Sequence, residues 1–222
     1  VTTGFNNSNV NALTNGNMLP FIFSVACVNG AFNGNTCFAE AWLRKEGGGA
    51  VFTLMSTINQ PWTPPMRGED YMNDIIVGGY DYSTASGQNG ITTSEQRSFI
   101  GSIVYNAFVL MMAESSGSDD LNTVQTWTSF GDPSMQIRTD QPVAITLSNS
   151  TPMVGVDFAT TITAGGTPVE GAMVCVSQGG NYFSAISDAS GSVTIPHTLN
   201  PGDALLVVTA YNTGTYYETV TV

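Results

Sequence analysis

Two short runs in which apolar residues do not alternate with polar ones, LPFIFSVA (19–26) and AVFTLMS (50–56), bracket a stretch of helical grammar, TCFAEAWLRKE (36–46). Continuous apolar runs of this length suit strands covered on both faces. Strand, helix and strand at this spacing form a βαβ unit, whose strands lie parallel. Residue 36 is a threonine placed to cap the helix, and Gly47–Gly49 end it. Further on, GEDYMNDII (68–76) reads as another helix. A long helix is expected over 94–114, with Thr92 and Glu95 spaced as a capping box and Phe99, Ile103, Ala107 and Leu110 along one face. A shorter helix over about 120–130 should stop at Gly131 and Pro133.

After Thr139 the helical period disappears. Seven β-rich runs follow (VAITLS, VDFATTITA, AMVCVSQ, YFSAIS, GSVTIP, ALLVVTAYN and YYETVTV), separated by Gly165–Gly166, Gly179–Gly180, Ser190–Gly191 and Pro201–Gly202. That pattern predicts a small antiparallel sandwich of immunoglobulin type over 141–222, without a Cys…Trp…Cys pin. Cys175 is read as a small core hydrophobe. The chain thus reads as an α/β domain over 1–140 and an all-β domain over 141–222, joined at Asp140-Gln141-Pro142.

Composition excludes several roles. Among 222 residues, 5 are basic and 17 acidic, a net charge of −12. Binding to nucleic acid or to anionic membrane depends on Lys and Arg, so both are disfavoured. No apolar run approaches the ~20 residues of a membrane span. A surface of Ser, Thr, Asn, Gln and Gly is common in secreted proteins. Val1 opens without Met or a basic leader, so a processed or truncated chain is expected. Cys27, Cys37 and Cys175 are odd in number, and with one histidine they match no usual zinc spacing.

In an open parallel sheet, ligands bind beyond the carboxyl ends of the strands. Two loops of the βαβ unit meet there. One begins at Cys27; the other is STINQPWTPPMRGED, residues 56–70. An ionised thiol is a competent nucleophile, although a cysteine at a strand end more commonly packs than reacts. Trp62 and Met66 can grip the alkyl stem of a long side chain, and the backbone of 58–62 can pair with an extended peptide. Cys37, at a helix start, is a weaker candidate nucleophile, weighed against packing. Asp119–Asp120 is a candidate for a structural calcium ion, weighed against favourable charge at a helix N-terminus. No cofactor is expected.

The segments NNSNVNAL, NGNMLPFIFSVACVNGAF, CFAEAWLR, STINQPWTPPMRGEDYM and WTSFGDPSMQIRT, in order over about residues 5–139, resemble the gingipain family of cysteine peptidases, of the caspase-like clan. The resemblance implies a caspase-like fold followed by an immunoglobulin-like domain. It implies that Cys27 attacks the scissile carbonyl, with its own N–H as one oxyanion donor. It places Trp62 and Met66 on the wall of the side-chain pocket, and Asn59, Gln60 and Pro61 beside the substrate backbone. The family's general base, a histidine in a His-Gly pair upstream of the cysteine, would fall before Val1. His197 comes too late in the chain and is read as a surface or turn histidine. The expected protein is therefore a secreted or cell-surface cysteine endopeptidase using a Cys–His dyad. Its histidine would come from an upstream segment or separate processed chain of the same precursor, and its substrate would be a peptide or protein. The rival expectation is an inactive adhesion or scaffolding module of the same fold.

Overall fold

The computed structural model describes residues 4–78 and 98–222. The chain divides into two compact units, Val1–Ile137 and Arg138–Val222.

The first unit is mixed α/β. A short helix α1 (Asn7–Asn11) precedes β1 (Phe21–Phe23), α2 (Phe38–Arg44), β2 (Phe52–Ser56), α3 (Thr63–Val77), α4 (Ile100–Glu114), α5 (Ser118–Thr126) and β3 (Trp127–Gly131). The sheet order is β1-β2-β3. β1 pairs parallel to β2, with Phe21 opposite Phe52, so the predicted βαβ unit is present. All five residues of β2 are buried. Its Phe52 and Leu54 enter the core formed with α3 and α4 through Met72, Ile75, Ile103 and Met111. Met55 enters the opposite core, with Cys37 and Ala39. A central strand covered on both faces has no reason to alternate.

Several expectations need correction. The run 19–26 is not a fully buried strand: β1 spans only Phe21–Phe23 and is half-buried. It lies at the edge of the described sheet, so only one flank is hydrogen-bonded. The sheet is not purely parallel, because WTSFG forms β3 antiparallel to β2 instead of continuing a helix. Trp127, Thr128 and Phe130 favour the pleated state, and β3 uncovers alternate residues as a half-buried strand should. α3 begins at Thr63, ahead of the expected residue 68, with prolines in its first turn. There their missing N–H costs nothing. Finally, Phe99 caps α4 rather than joining its inner face, and it is half exposed. Ile103, Ala107 and Leu110 are buried as expected. The capping box at Thr92 and Glu95 lies outside the described residues. Cys37, not Thr36, occupies the N-cap of α2, where its N–H donates to the Glu40 carboxylate at 2.9 Å.

The second unit is all β. β4 (Ile145–Leu147), β5 (Phe158–Ala164), β6 (Thr167–Pro168) and β9 (Ser192–Ile195) form one antiparallel set. The other has the order β11-β10-β7-β8, from β7 (Met173–Gln178), β8 (Asn181–Ile186), β10 (Asp203–Thr209) and β11 (Tyr216–Thr221). Phe158, Ile162 and Ile195 from the first set share one core with Val174, Val176, Leu206 and Val208 from the second. Gly179 and Gly180 form the two-residue β7–β8 turn with φ of 57° and 85°. Both values lie in the left-handed region that a tight hairpin turn of this hand requires. Cys175 is not a core residue. Val174 and Val176 are fully buried on the inner face, so the two-residue period puts Cys175 half-exposed on the outer one. His197 follows β9, accepts from the Leu199 N–H at 3.3 Å and lies edge-on to Phe183.

Two features of α3 give predictions. A Cβ at Gly68 would stand 2.9 Å from the ring of buried Trp127. Gly68→Ala should therefore destabilise by about 1–3 kcal/mol in a denaturant titration, because overpacking outweighs the gain in helix propensity. Burial, and then the neighbouring Asp70 charge, raise the carboxyl pKa values of Glu69 and Asp74. The folded chain holds these protons at pH values where the unfolded chain has released them, so stability falls as pH rises through that window. Asp74→Asn should raise the thermal midpoint near neutral pH, and the gain should vanish at about pH 3, where the unfolded chain is protonated too.

Candidate active site

The thiol of Cys27 sits where the chain leaves β1. Residues 27–30 form a turn whose backbone is fixed from three directions. The Val28 N–H donates to the Ile58 carbonyl at 2.9 Å, and the Gly30 N–H to that of Ser56 at 2.8 Å. The Asn29 carbonyl accepts from Ala39 N–H at 3.0 Å, which satisfies a first-turn donor of α2. Gly30 has no room for a side chain: a Cβ there would lie 2.6 Å from the Met55 carbonyl oxygen. Val28 has φ of 51°. That conformation is rare for a β-branched residue and costs on the order of 1–3 kcal/mol. The three hydrogen bonds hold the chain in it.

Beneath the turn lies Trp127. Its indole N–H is shared between the carbonyls of Ser24, at 3.0 Å, and Leu54, at 3.2 Å. Ser24 is in the chain leading to Cys27, and the Trp127 ring lies under Gly68 of α3. One side chain thus supports both the thiol-bearing loop and the helix that follows the second loop. Sequence reasoning had placed Trp127 in a helix and missed this role.

The loop after β2 passes beside the thiol. Cys27 Sγ donates a weak hydrogen bond, at 3.9 Å, to the Gln60 carbonyl. Cys27 is partly exposed. The Ile58 backbone is not available to a peptide, since its carbonyl accepts from Val28 and from the Ser56 hydroxyl, and its N–H donates to that hydroxyl. Asn59 is exposed and Pro61 half-buried. Gln60 is the unusual one: its side-chain Oε1 and Nε2 are both buried without a partner among the described residues. Leaving such groups unpaired costs about 1–3 kcal/mol each.

Trp62 caps α3 and is 83% exposed; Met66, one turn on, is 45% exposed. Four-residue spacing puts them on the same side of the helix. Pro61, Trp62 and Pro64 line a cavity of about 320 Å³ with Arg67 and Asp120, whereas Cys27 and Met66 do not line it. The structure thus brings Cys27 and Gln60 together and places Trp62 and Met66 on the adjoining helix.

Cys37 packs with Ala39 and Met55. Burial is the main influence on its thiol and raises the pKa, against the lowering expected at a helix start. Asp120 is 4% exposed and fully engaged as an acceptor, from Arg67, from Ser115 Oγ at 2.8 Å and from Gly117 N–H at 3.0 Å. Among the described residues no three His, Cys, Asp or Glu side chains are grouped to hold a metal ion.

Residues 2–138 match the model of Peptidase family C25. The chain belongs to that family. Gingipain R1 of Porphyromonas gingivalis is 36% identical, aligning 99% of this chain with 21% of its own length. Gingipain R2 of the same organism is 44% identical over 64% of this chain and 18% of its own. The crystal structure of the Arg-specific cysteine proteinase gingipain R superposes with a TM-score of 0.74 at 33% identity, covering 98% of this chain and 48% of that one. A complex of RgpB pro- and mature domains gives 0.71 at 35% identity, covering 97% of this chain and 49% of that one. The chain therefore spans about half the length of these solved relatives and about a fifth of the curated ones. No helix among the described residues is long and apolar enough to cross a membrane.

Burial separates the three thiols. Limited alkylation with iodoacetamide, mapped by mass spectrometry, should modify Cys27 and Cys175 well before Cys37. Equal rates at Cys27 and Cys37 would contradict the packing described here.

Proposed function

We propose that this chain is the cysteine-bearing part of a cysteine endopeptidase, with Cys27 as nucleophile. The observation that carries the reading is the strained turn. A partly exposed thiol is followed by a valine held at positive φ, and the whole turn is hydrogen-bonded to the exit of β2 and the start of α2. Strain of that kind persists only where surrounding structure over-determines it, and it concentrates at functional sites. The contact between the Cys27 thiol and the Gln60 carbonyl, which puts the second loop beside the thiol, supports a site shared by the two loops.

In the proposed reaction the Cys27 thiolate attacks the scissile carbonyl carbon. A carbon–sulfur bond forms, and the carbonyl electron pair moves to oxygen, facing the Cys27 N–H. The carbon–nitrogen bond then breaks, and the leaving amine takes a proton from an imidazolium, giving a thioester. Water, deprotonated by the same imidazole, hydrolyses it and releases the thiol. The imidazole comes from an upstream segment or separate processed chain of the precursor, completing a Cys–His dyad. The half-covered flank of β1 and the pro- and mature-domain complex of a relative support such a partner. Asn59, Gln60 and Pro61 run beside the substrate backbone, and Trp62 and Met66 flank its side chain. In this reading the first unit is caspase-like and the second an immunoglobulin-like sandwich. The reaction needs no cofactor, and the weakly charged surface suits a secreted or cell-surface enzyme.

The test uses the complete precursor and peptide substrates. Cys27→Ala should lower turnover by about three orders of magnitude or more. The thermal midpoint should stay within a few degrees, as expected for a change of about 1 kcal/mol. Trp62→Ala should raise KM roughly tenfold for long side chains. A Cys27→Ala enzyme that cleaves as fast as the parent overturns the assignment. A complete precursor without turnover favours the scaffolding alternative.

A further inference from the structure

α3 is anchored near its N-terminal end by a charged network that the proposed chemistry does not use. Arg67 Nη2 pairs with Asp120 Oδ1, and Nη1 lies 4.0 Å from Glu114 Oε1. Glu114 in turn accepts from the Tyr71 hydroxyl at 2.7 Å. Asp120 holds two further donors, Ser115 Oγ and Gly117 N–H. One guanidinium thus ties the first turns of α3 to the end of α4 and the start of α5. Asp120 is buried, so removing the Arg67 guanidinium would leave its charge uncompensated.

What this network holds is the end of α3 that carries Trp62 and Met66. Trp62 is 83% exposed and makes no side-chain capping bond. An indole so little covered is not fixed by its own packing. Its position follows from the backbone on which it stands, and Arg67 is the residue next to Met66. Trp62 and Arg67 also face the same cavity, with Asp120 on its wall.

The geometry points to Arg67 and Asp120 as positioning residues for side-chain selection. Their ion pair, with Ser115 as a further donor, fixes the α3 N-terminus and so the placement of Trp62 and Met66. This rests on the reading of Trp62 and Met66 as substrate-flanking residues. Lysine at position 67 keeps the charge but loses the planar fork that reaches Asp120 and Glu114 together. Alanine at 115 removes one donor and leaves the ion pair in place.

The experiment compares the complete enzyme with its Arg67→Lys and Ser115→Ala variants on two peptide series, one with a long side chain before the scissile bond and one with alanine there. KM for the long side chain should rise on the order of tenfold in Arg67→Lys and less in Ser115→Ala, with kcat changed by about twofold at most. The preference for the long side chain should fall in the same order. The rate of Cys27 alkylation by iodoacetamide, which needs no side-chain pocket, should match the parent's. Variants with lowered thermal midpoints but parental selectivity would show the network to be structural only and overturn the proposal. A parent enzyme that does not cleave either series would overturn the protease reading itself, whatever the variants do.

Discussion

The indole of Trp127 is the point on which the candidate site rests. Its N–H bridges two carbonyls, one in the chain leading to Cys27 and one in the middle of β2. Its ring leaves no space for a side chain at Gly68 of α3. A donor shared between a buried and a half-buried acceptor is costly to lose, because both carbonyls would lose a partner. The edge strand β1 is only three residues long and half-buried, so it could not hold the thiol-bearing loop in register by itself.

Above that support, strain and restraint balance locally. Val28 occupies a conformation that a β-branched residue normally avoids, and the turn is kept there by donors and acceptors on β2 and α2. The same bonds aim the Cys27 thiol towards the Gln60 carbonyl. Rigidity at this turn contrasts with the exposed Trp62 and Met66, which depend on α3 for their placement. The two halves of the proposed site are thus held by different means. Backbone hydrogen bonds fix the Cys27 turn, and a side-chain ion-pair network ties the start of α3 to α4 and α5.

Much of this was legible in the chain. β2 announced itself because burial on both faces removes alternation, and α2 because good helix formers end at glycines. The seven β-rich runs each contain a strand. Cys27, Trp62 and Met66 stand out in the sequence, Asn59, Gln60 and Pro61 are implied by the resemblance, and the structure brings Cys27 against Gln60. Each misreading has its own cause. WTSFG looked like the end of a helix because α5 runs directly into it, yet pairing with β2 makes it a strand. TPPM looked like loop because proline usually breaks helices, yet a first turn tolerates it. Cys175 looked like core because the run AMVCVSQ is apolar, and only the pairing shows which face is inward.

By itself the sequence determined most of the local grammar: where the central strand and the main helices lie, where two kinds of folding meet, and which thiol stands at a strand exit. Those properties follow from periodicity and backbone preference over a few neighbouring residues. Only the tertiary structure decided that Arg67 meets Asp120, that Trp127 underlies both Ser24 and Gly68, and that Cys37 is buried while Cys27 is partly exposed. These partners lie far apart along the chain, and no local pattern encodes a contact that exists only once separate elements have packed.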